Sequence, residues 1–337
     1  MDPVDPIGLA RRLIDIDSTT GREGEAGRVL AHYLRDRGYS VLEQPVPGGA
    51  GDRINVIAAV GEPRIVFSTH LDCVPPFFPS RLENGMLFGR GACDAKGILA
   101  AQVAAAERLR DAGAARVGLV FVAGEERGSE GAVAANRIAS PSEYLINGEP
   151  TDNRLGLATR GVLRVKIATV GRAAHSGYPE LGRSAIEGLM DVLLDLRMAP
   201  WPDDALLGRT HYTVGVISGG VAPNVIPAHA EAEILFRTVG DHDAVRSVLA
   251  STVGDRAQVT EVLEVPPVRL ETREGFDTAV FAYTTDIPFL DRWGTPLLFG
   301  PGSIHVAHTD QEFVSIAELG RAVELNATLA ARLLQEA

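Results

Sequence analysis

Apolar positions change their spacing along the chain, and the changes mark out elements. Ile7, Ala10, Leu13 and Ile14 recur at helical spacing behind Asp5-Pro6, an N-cap residue followed by a proline suited to a first helical turn. Ala26, Val29, Leu30, Tyr33 and Leu34 share one face of a second helix predicted over 23–37, and Gly38 sits where a left-handed terminating residue belongs. Unbroken apolar runs follow at 55–60 and 64–69, then an alanine-rich helical stretch over 95–112, then runs at 116–123 and 144–147. Such strands alternating with helices predict a largely parallel α/β sheet covered on both faces.

The pattern shifts at Arg160-Gly161. A strand at 162–170, a helix at 184–196, strands at 211–218 and 230–237, a helix at 241–252 and a strand at 258–265 follow. That β-α-β-β-α-β order predicts a ferredoxin-like α+β domain, closed by Pro266-Pro267. The tail carries a candidate strand at 296–299 and an amphipathic helix over 314–334. The expected organisation is one domain over 1–160 and 269–337, interrupted by a smaller domain over 161–268.

Composition narrows the function. Lys plus Arg is 32 against Asp plus Glu 44, a net charge of −12, which argues against nucleic acid or an anionic membrane as partner. The longest apolar stretches, 98–106 and 117–123, are too short to span a bilayer. Cys73 and Cys93 imply no disulfide framework, and residues 1–6 have neither the basic nor the apolar part of a leader. A cytoplasmic location is expected.

Most of the eight histidines lie on helix faces or at element edges without an acid at ligand spacing. His70 differs, because it closes an apolar run with Asp72 two residues on, projecting to the same side. A carboxylate there can orient a metal-bound imidazole. Asp94 lies at the start of the alanine-rich helix, in a glycine-rich stretch that lacks the third glycine of a dinucleotide loop. It suits a cation-bridging carboxylate better than a phosphate site. Glu125 and Glu126 leave the next run side by side and cannot easily point the same way, so one can bind metal while the other stands free as a base. Glu149 follows the run at 144–147. Residues 300–312 then supply His305 and His308, followed by Asp310 and Glu312. The ends of parallel strands converge on one crevice. Two histidines and three carboxylates there balance the charge of two divalent ions sharing a hydroxide, which could attack an amide-like bond.

His70-Leu71-Asp72, Gly89-Arg90-Gly91-Ala92-Cys93-Asp94-Ala95-Lys96-Gly97, Gly124-Glu125-Glu126, Asn147-Gly148-Glu149-Pro150 and Ala307-His308 resemble the ordered motifs of the peptidase M20 family. That family includes acetylornithine deacetylase, succinyl-diaminopimelate desuccinylase and glutamate carboxypeptidase. The resemblance implies a zinc-peptidase-like catalytic domain interrupted by a lid and dimerisation domain. It implies His70 and Glu149 on one metal, Glu126 and His308 on the other, and Asp94 bridging them, with a non-proline cis peptide after Asp94. Glu125 would be the general base and later the proton donor, while Asp72 would orient His70. Zinc is the first choice of metal, with cobalt or manganese as alternatives.

In the inserted domain, Gly171-Arg172-Ala173-Ala174-His175-Ser176 resembles the family segment whose histidine stabilises the oxyanion, often from the partner subunit. A homodimer through that domain is expected. Asn224 and Arg237 match family positions that hold the substrate carboxylate, and Gly302 and Ser303 could add backbone donors. The implied activity is removal of the acyl group from an N-acyl amino acid, as in acetylornithine deacetylase. The alternative is a di- or tripeptidase or a carboxypeptidase using the same site. His305 stands as a second possible ligand in its segment, and the two cysteines read as core fillers.

Overall fold

A computed structural model describes residues 2–48, 52–138 and 140–336. The first helix, Pro6–Ile14, begins where the sequence puts it: the Ile7 N–H donates to Asp5 Oδ1 at 3.0 Å. Helix Gly24–Asp36 follows, and Gly38 takes a left-handed φ of 83° as it turns into the first strand.

The chain divides into two units, Met1–Leu157 with Leu270–Ala279 and Thr285–Ala337, and Ala158–Arg269 with Val280–Thr284. The first is built on a sheet with strand order Ser40–Pro45, Ile54–Ala59, Val117–Val122, Ile65–His70, Tyr144–Asn147 and Thr295–Leu298. The last four run parallel to one another, whereas the first two add as an antiparallel edge. The sheet is therefore mixed: the parallel part that the apolar runs suggested makes up four of its six strands, and an antiparallel edge is added to it. Ser40–Pro45 gives no strand signal in the sequence because it is a half-exposed edge with no unbroken apolar run.

Helix Lys96–Asp111 packs along this sheet and is sandwiched by helix Ile316–Gln335, which is why almost none of its positions is polar and exposed. Phe67, Leu99, Val103, Leu119, Phe121, Ile146, Leu297 and Phe299 form the core between them. Each such side chain contributes about 1.5–3 kcal/mol by leaving water. The exit of strand Tyr144–Asn147 depends on a glycine. A Cβ at Gly148 would lie 2.5 Å from Gln102 Nε2 and from Ile98 Cγ2, so a larger residue would push the chain off the helix. With the three central parallel strands adjacent, the segments that follow His70, Val122 and Asn147 leave the sheet along one edge.

The second unit holds an antiparallel sheet in the order His211–Gly219, His229–Thr238, Gly161–Val170 and Gln258–Val265. Helices Ala185–Met198 and His242–Val253 bury Leu189, Val192, Val245 and Leu249 against Leu163, Val165, Ile234 and Phe236. Inward positions alternate along Gly161–Val170 and His229–Thr238, as a sheet covered on one side requires. Among the described residues, no helix is long and apolar enough to cross a membrane.

Candidate metal centre

Three strand exits and two loops bring the acidic and imidazole groups of the first unit together. His70, the last residue of its strand, is buried. Its Nδ1 lies 3.0 Å from the Asp72 carbonyl oxygen and 3.6 Å from Asp72 Oδ1, while its Nε2 lies 2.9 Å from Asp94 Oδ1. A proton on Nδ1 donated to Asp72 leaves the Nε2 lone pair turned toward Asp94, the tautomer a metal ligand needs.

Asp72 does more than touch His70. Its Oδ1 accepts the N–H groups of Gly124 at 2.9 Å and Glu125 at 3.1 Å, and its Oδ2 accepts the Glu126 N–H at 3.2 Å and the Thr20 hydroxyl at 2.9 Å. The buried carboxylate thus shapes the turn that carries both glutamates. Sequence spacing gave no sign of this second task, because the partners lie 52 to 54 residues away.

Asp94 stands just outside helix Lys96–Asp111, whose N-cap position is Ala95, and the Asp94–Ala95 peptide is cis. It is buried, with Oδ2 3.3 Å from His308 Nε2, and the same nitrogen lies 3.0 Å from Glu126 Oε1. Two sets of donors emerge: His70, Asp94 and Glu149 form one, and Asp94, Glu126 and His308 form the other, each with ligand atoms within 4.8 Å of one another. Asp94 is the shared member. His305 is exposed and joins neither set among the described residues.

The electrostatics of this cluster ask for cations. Burial pushes the carboxyls of Glu125 and Glu149 well above the usual range, with Glu149 repelling Glu125 and Asp94 repelling Glu149. Burial also raises Glu126. Hydrogen bonds to Asp94 and Glu126 pull the His308 imidazole up to about 10. Glu149 Oε1 is buried with no hydrogen-bond partner among the described residues, although it belongs to a set with an imidazole nitrogen and a second carboxylate. A divalent cation satisfies such an orphaned oxygen, and the mixed nitrogen and oxygen donors fit it. The Glu125 carboxylate is half-buried and makes no hydrogen bond among the described residues; only its backbone N–H is engaged.

Residues 66–332 match the model of Peptidase family M20/M25/M40, a span that takes in every candidate ligand from His70 to His308. The chain belongs to this family. It is therefore an enzyme of the M20 hydrolase type. The M20 chain is 38% identical over 363 residues to an Aspergillus terreus protein named a probable carboxypeptidase, covering 94% of this chain and 84% of that one. Its fold resembles that of a tripeptidase from Staphylococcus aureus, with a TM-score of 0.80 and 20% identity over 96% of each chain. A Bacillus subtilis protein described as a dinuclear metal-binding peptidase of the M20 family is likewise similar, with a TM-score of 0.71 and 17% identity over 98% of each chain.

The second unit of the M20 chain carries the other expected residues at opposite ends of its sheet, His175 and Asn224 beyond Val170 and Arg237 beside Val162. His175 is exposed on a loop bridged to Val225, and the Ser176 N–H donates to the Asn224 carbonyl at 3.0 Å, so His175 and Asn224 are neighbours. The Gly177 N–H donates to His175 Nδ1 at 3.1 Å, which leaves the ring proton on Nε2 facing outward as a donor. Arg237 sits opposite His211 in the sheet, and its guanidinium makes no hydrogen bond or ion pair among the described residues. Burial and the nearby Arg160 charge both lower its pKa. Arg160 Nη1 is 2.6 Å from His211 Nδ1. Arg160 and Arg237 thus form a cationic pair beside His211, whose imidazole burial and the Arg160 charge push toward the neutral form, and sequence reasoning found only Arg237 of the three.

One expectation needs correction. Gly302 was read as a free backbone donor, but its N–H donates to Glu318 Oε1 at 2.8 Å. Glu318 reaches it from the first turn of the last helix, a contact no local spacing reveals. The Ser303 carbonyl accepts from Cys93 Sγ at 3.4 Å, which anchors the same turn.

Proposed function

We propose that this M20 enzyme hydrolyses an amide bond whose nitrogen belongs to an amino acid with a free carboxylate. The C-terminal bond of a short peptide and the bond of an N-acyl amino acid share that chemistry. The observation that carries the reading is the pair of donor sets joined through Asp94, with the uncommitted carboxylate of Glu125 beside them. His70 and Glu149 would hold one divalent ion, Glu126 and His308 the other, and Asp94 both. Zinc suits the donors best, with cobalt or manganese able to replace it. When bound, such ions polarise a carbonyl and bring the pKa of water near 7.

Glu125 takes the proton of the attacking water and passes it to the leaving amine, a task that fits a carboxyl made a stronger base by burial. His175 offers its Nε2–H to the carbonyl oxygen as it gains charge. Arg237, with Arg160 and His211 around it, pairs with the substrate carboxylate, the Ser303 N–H adds a neutral donor, and Asn224, at the opposite end of the sheet, would act beside His175. The carboxypeptidase name of the Aspergillus terreus relative favours peptide substrates over N-acyl amino acids, both of which carry the carboxylate that Arg237 would read.

Amine release from dipeptides, N-acetyl and N-succinyl amino acids, with and without a chelator, tests the reading. Zinc-restored cleavage of free-carboxylate peptides is the expected result. Cleavage of the acylated amino acids alone would move the substrate to the deacylase class, and chelator-insensitive turnover would sink the two-ion reading.

The second unit also fits pairing with a second copy of this chain, the role expected of a dimerisation domain. Its edge strand His211–Gly219 leaves Val216 59% and Ile217 57% exposed, while Met190, Leu194 and Met198 form an exposed stripe on helix Ala185–Met198. Sedimentation should show a dimer that Val216→Lys with Met198→Glu converts to a folded monomer; a monomeric wild type would end this reading. The two cysteines are free and buried, which fits the cytoplasmic location expected from composition.

A further inference from the structure

Segments far apart in the chain meet at one buried carboxylate outside both donor sets. Glu312 precedes strand Phe313–Ser315 and is fully buried. Its Oε1 accepts the N–H groups of Gly91 at 2.9 Å, Cys93 at 3.1 Å and Asp94 at 3.0 Å. Its Oε2 accepts from Arg90 Nη1 at 2.7 Å, and its main-chain carbonyl accepts the Gly89 N–H at 3.2 Å. Arg90 is buried too, with Nε donating to the Pro76 carbonyl at 3.2 Å.

A second acid beside Asp94 is unfavourable unless its charge is answered, and the guanidinium and the N–H groups answer it. A neutral acceptor would close the loop without that repulsion. A glutamate adds reach, with a two-oxygen fork that gathers several donors at once. The consequence is geometric: residues 89–94 are fastened to the segment that carries His308, four residues before Glu312.

We propose that Glu312 is a positioning residue for the donor set of Asp94, Glu126 and His308, an inference that rests on the two-ion reading above. Asp94 must present Oδ1 to the His70 side, at 2.9 Å, and Oδ2 to the His308 side, at 3.3 Å. Small displacements of a ligand spoil such a site, so the backbone beneath it has to be held. The Asp94 N–H is itself one of the groups Glu312 holds. His70 and Glu149 need no such help, since they leave the ends of paired parallel strands, and the turn bearing Glu126 is held by Asp72. His308 is exposed, with a left-handed φ of 63°, and has no comparable support of its own. Glu312 supplies it.

The test compares the full chain with Glu312→Gln, Glu312→Asp and Glu312→Ala for zinc content after dialysis against a zinc buffer, alongside circular dichroism and thermal melting. Glu312→Gln should keep both zinc ions, because its amide oxygen can accept the same N–H groups, while its melting temperature falls because the amide NH2 cannot pair with the buried Arg90. Glu312→Asp is too short to reach them and should lose one ion while keeping the wild-type fold, and Glu312→Ala should do the same. If Glu312→Ala fails to fold, the contrast between Glu312→Asp and Glu312→Gln decides. Two ions held at wild-type affinity by Glu312→Asp would overturn the proposal. Loss of an ion in Glu312→Gln as well would assign Glu312 to charge balance and also overturn it, as would failure of all three variants to fold. A wild-type chain that holds fewer than two ions would instead bring down the two-ion reading, and this inference with it.

Discussion

The two units are each electrostatically incomplete, in opposite senses. In the first, Asp94, Glu125, Glu126 and Glu149 crowd together with two imidazoles for company, and a buried Glu149 oxygen lacks any partner among the described residues. In the second, Arg160, Arg237 and His211 cluster with no carboxylate among the described residues in contact with them. Three other buried charges are paired within the fold. Arg53 meets Glu23, Arg37 meets Glu107, and Arg90 meets Glu312. Finished pairs hold the fold, whereas unfinished clusters mark where a ligand of the opposite sign would stabilise what folding left uncompensated. One cluster asks for cations and the other for an anion, as the proposed reaction on a substrate with a free carboxylate would require.

The strongest way to break this contrast is at Glu125. Glu125→Gln removes the proton acceptor and little else, since no hydrogen bond ties the carboxylate down. Turnover should fall by about 10²–10⁴-fold, the usual worth of a general base. Zinc content should stay at the wild-type value. Joint loss of metal and activity would make Glu125 a ligand and hand the base role to another group.

The anion-seeking cluster should give a smaller and different effect. A hydrogen bond to a charged group contributes about 1.5–3 kcal/mol, so Arg237→Gln should raise KM by roughly 10–100-fold with kcat less affected. The loss should appear only for substrates with a free carboxylate, and C-terminal amides should be processed equally by both proteins. An equal loss on acids and amides would mean that Arg237 acts through the fold.

What could be read from the chain follows the same division. The candidate ligands were legible because each ends or follows an apolar run, and parallel strands carry run ends to one edge. His70 and Glu149 needed only that rule, Asp94 its place at a helix entry, and the choice of Glu126 over Glu125 and of His308 in its segment came from the resemblance to the family. The supporting contacts were not legible. Asp72 holds backbone N–H groups 52 to 54 residues away, and Glu312 holds others 218 to 221 residues away. Backbone donors look alike in any sequence, so only the folded chain says which carboxylate collects them. Arg160 and His211 were missed for a related reason: neither borders a motif, and they meet Arg237 only through strand register and a turn. The antiparallel edge strand Ser40–Pro45 escaped because half-exposed edges lack the apolar run that marks a central strand.

The smallest expected effect concerns two residues that chain position alone would make suspects. Cys73 follows Asp72 and Cys93 precedes Asp94, yet both thiols are buried and free. Burial pushes the Cys73 thiol up to about 12 and raises Cys93 as well, so neither offers a thiolate near neutral pH. Each donates its proton to a main-chain carbonyl, that of Arg90 at 3.8 Å and that of Ser303 at 3.4 Å. Incubation of the native enzyme with iodoacetamide at pH 8 should therefore leave both unmodified, and activity unchanged, while denaturant should expose both to rapid alkylation. The result matters because these thiols sit one residue from the groups proposed to hold and orient the metals. Fast labelling of Cys93 in folded protein would mean that the segment carrying Asp94 opens to solvent. The first unit's centre would then be as accessible as the loop of His175, and burial would no longer explain why its carboxyls are raised.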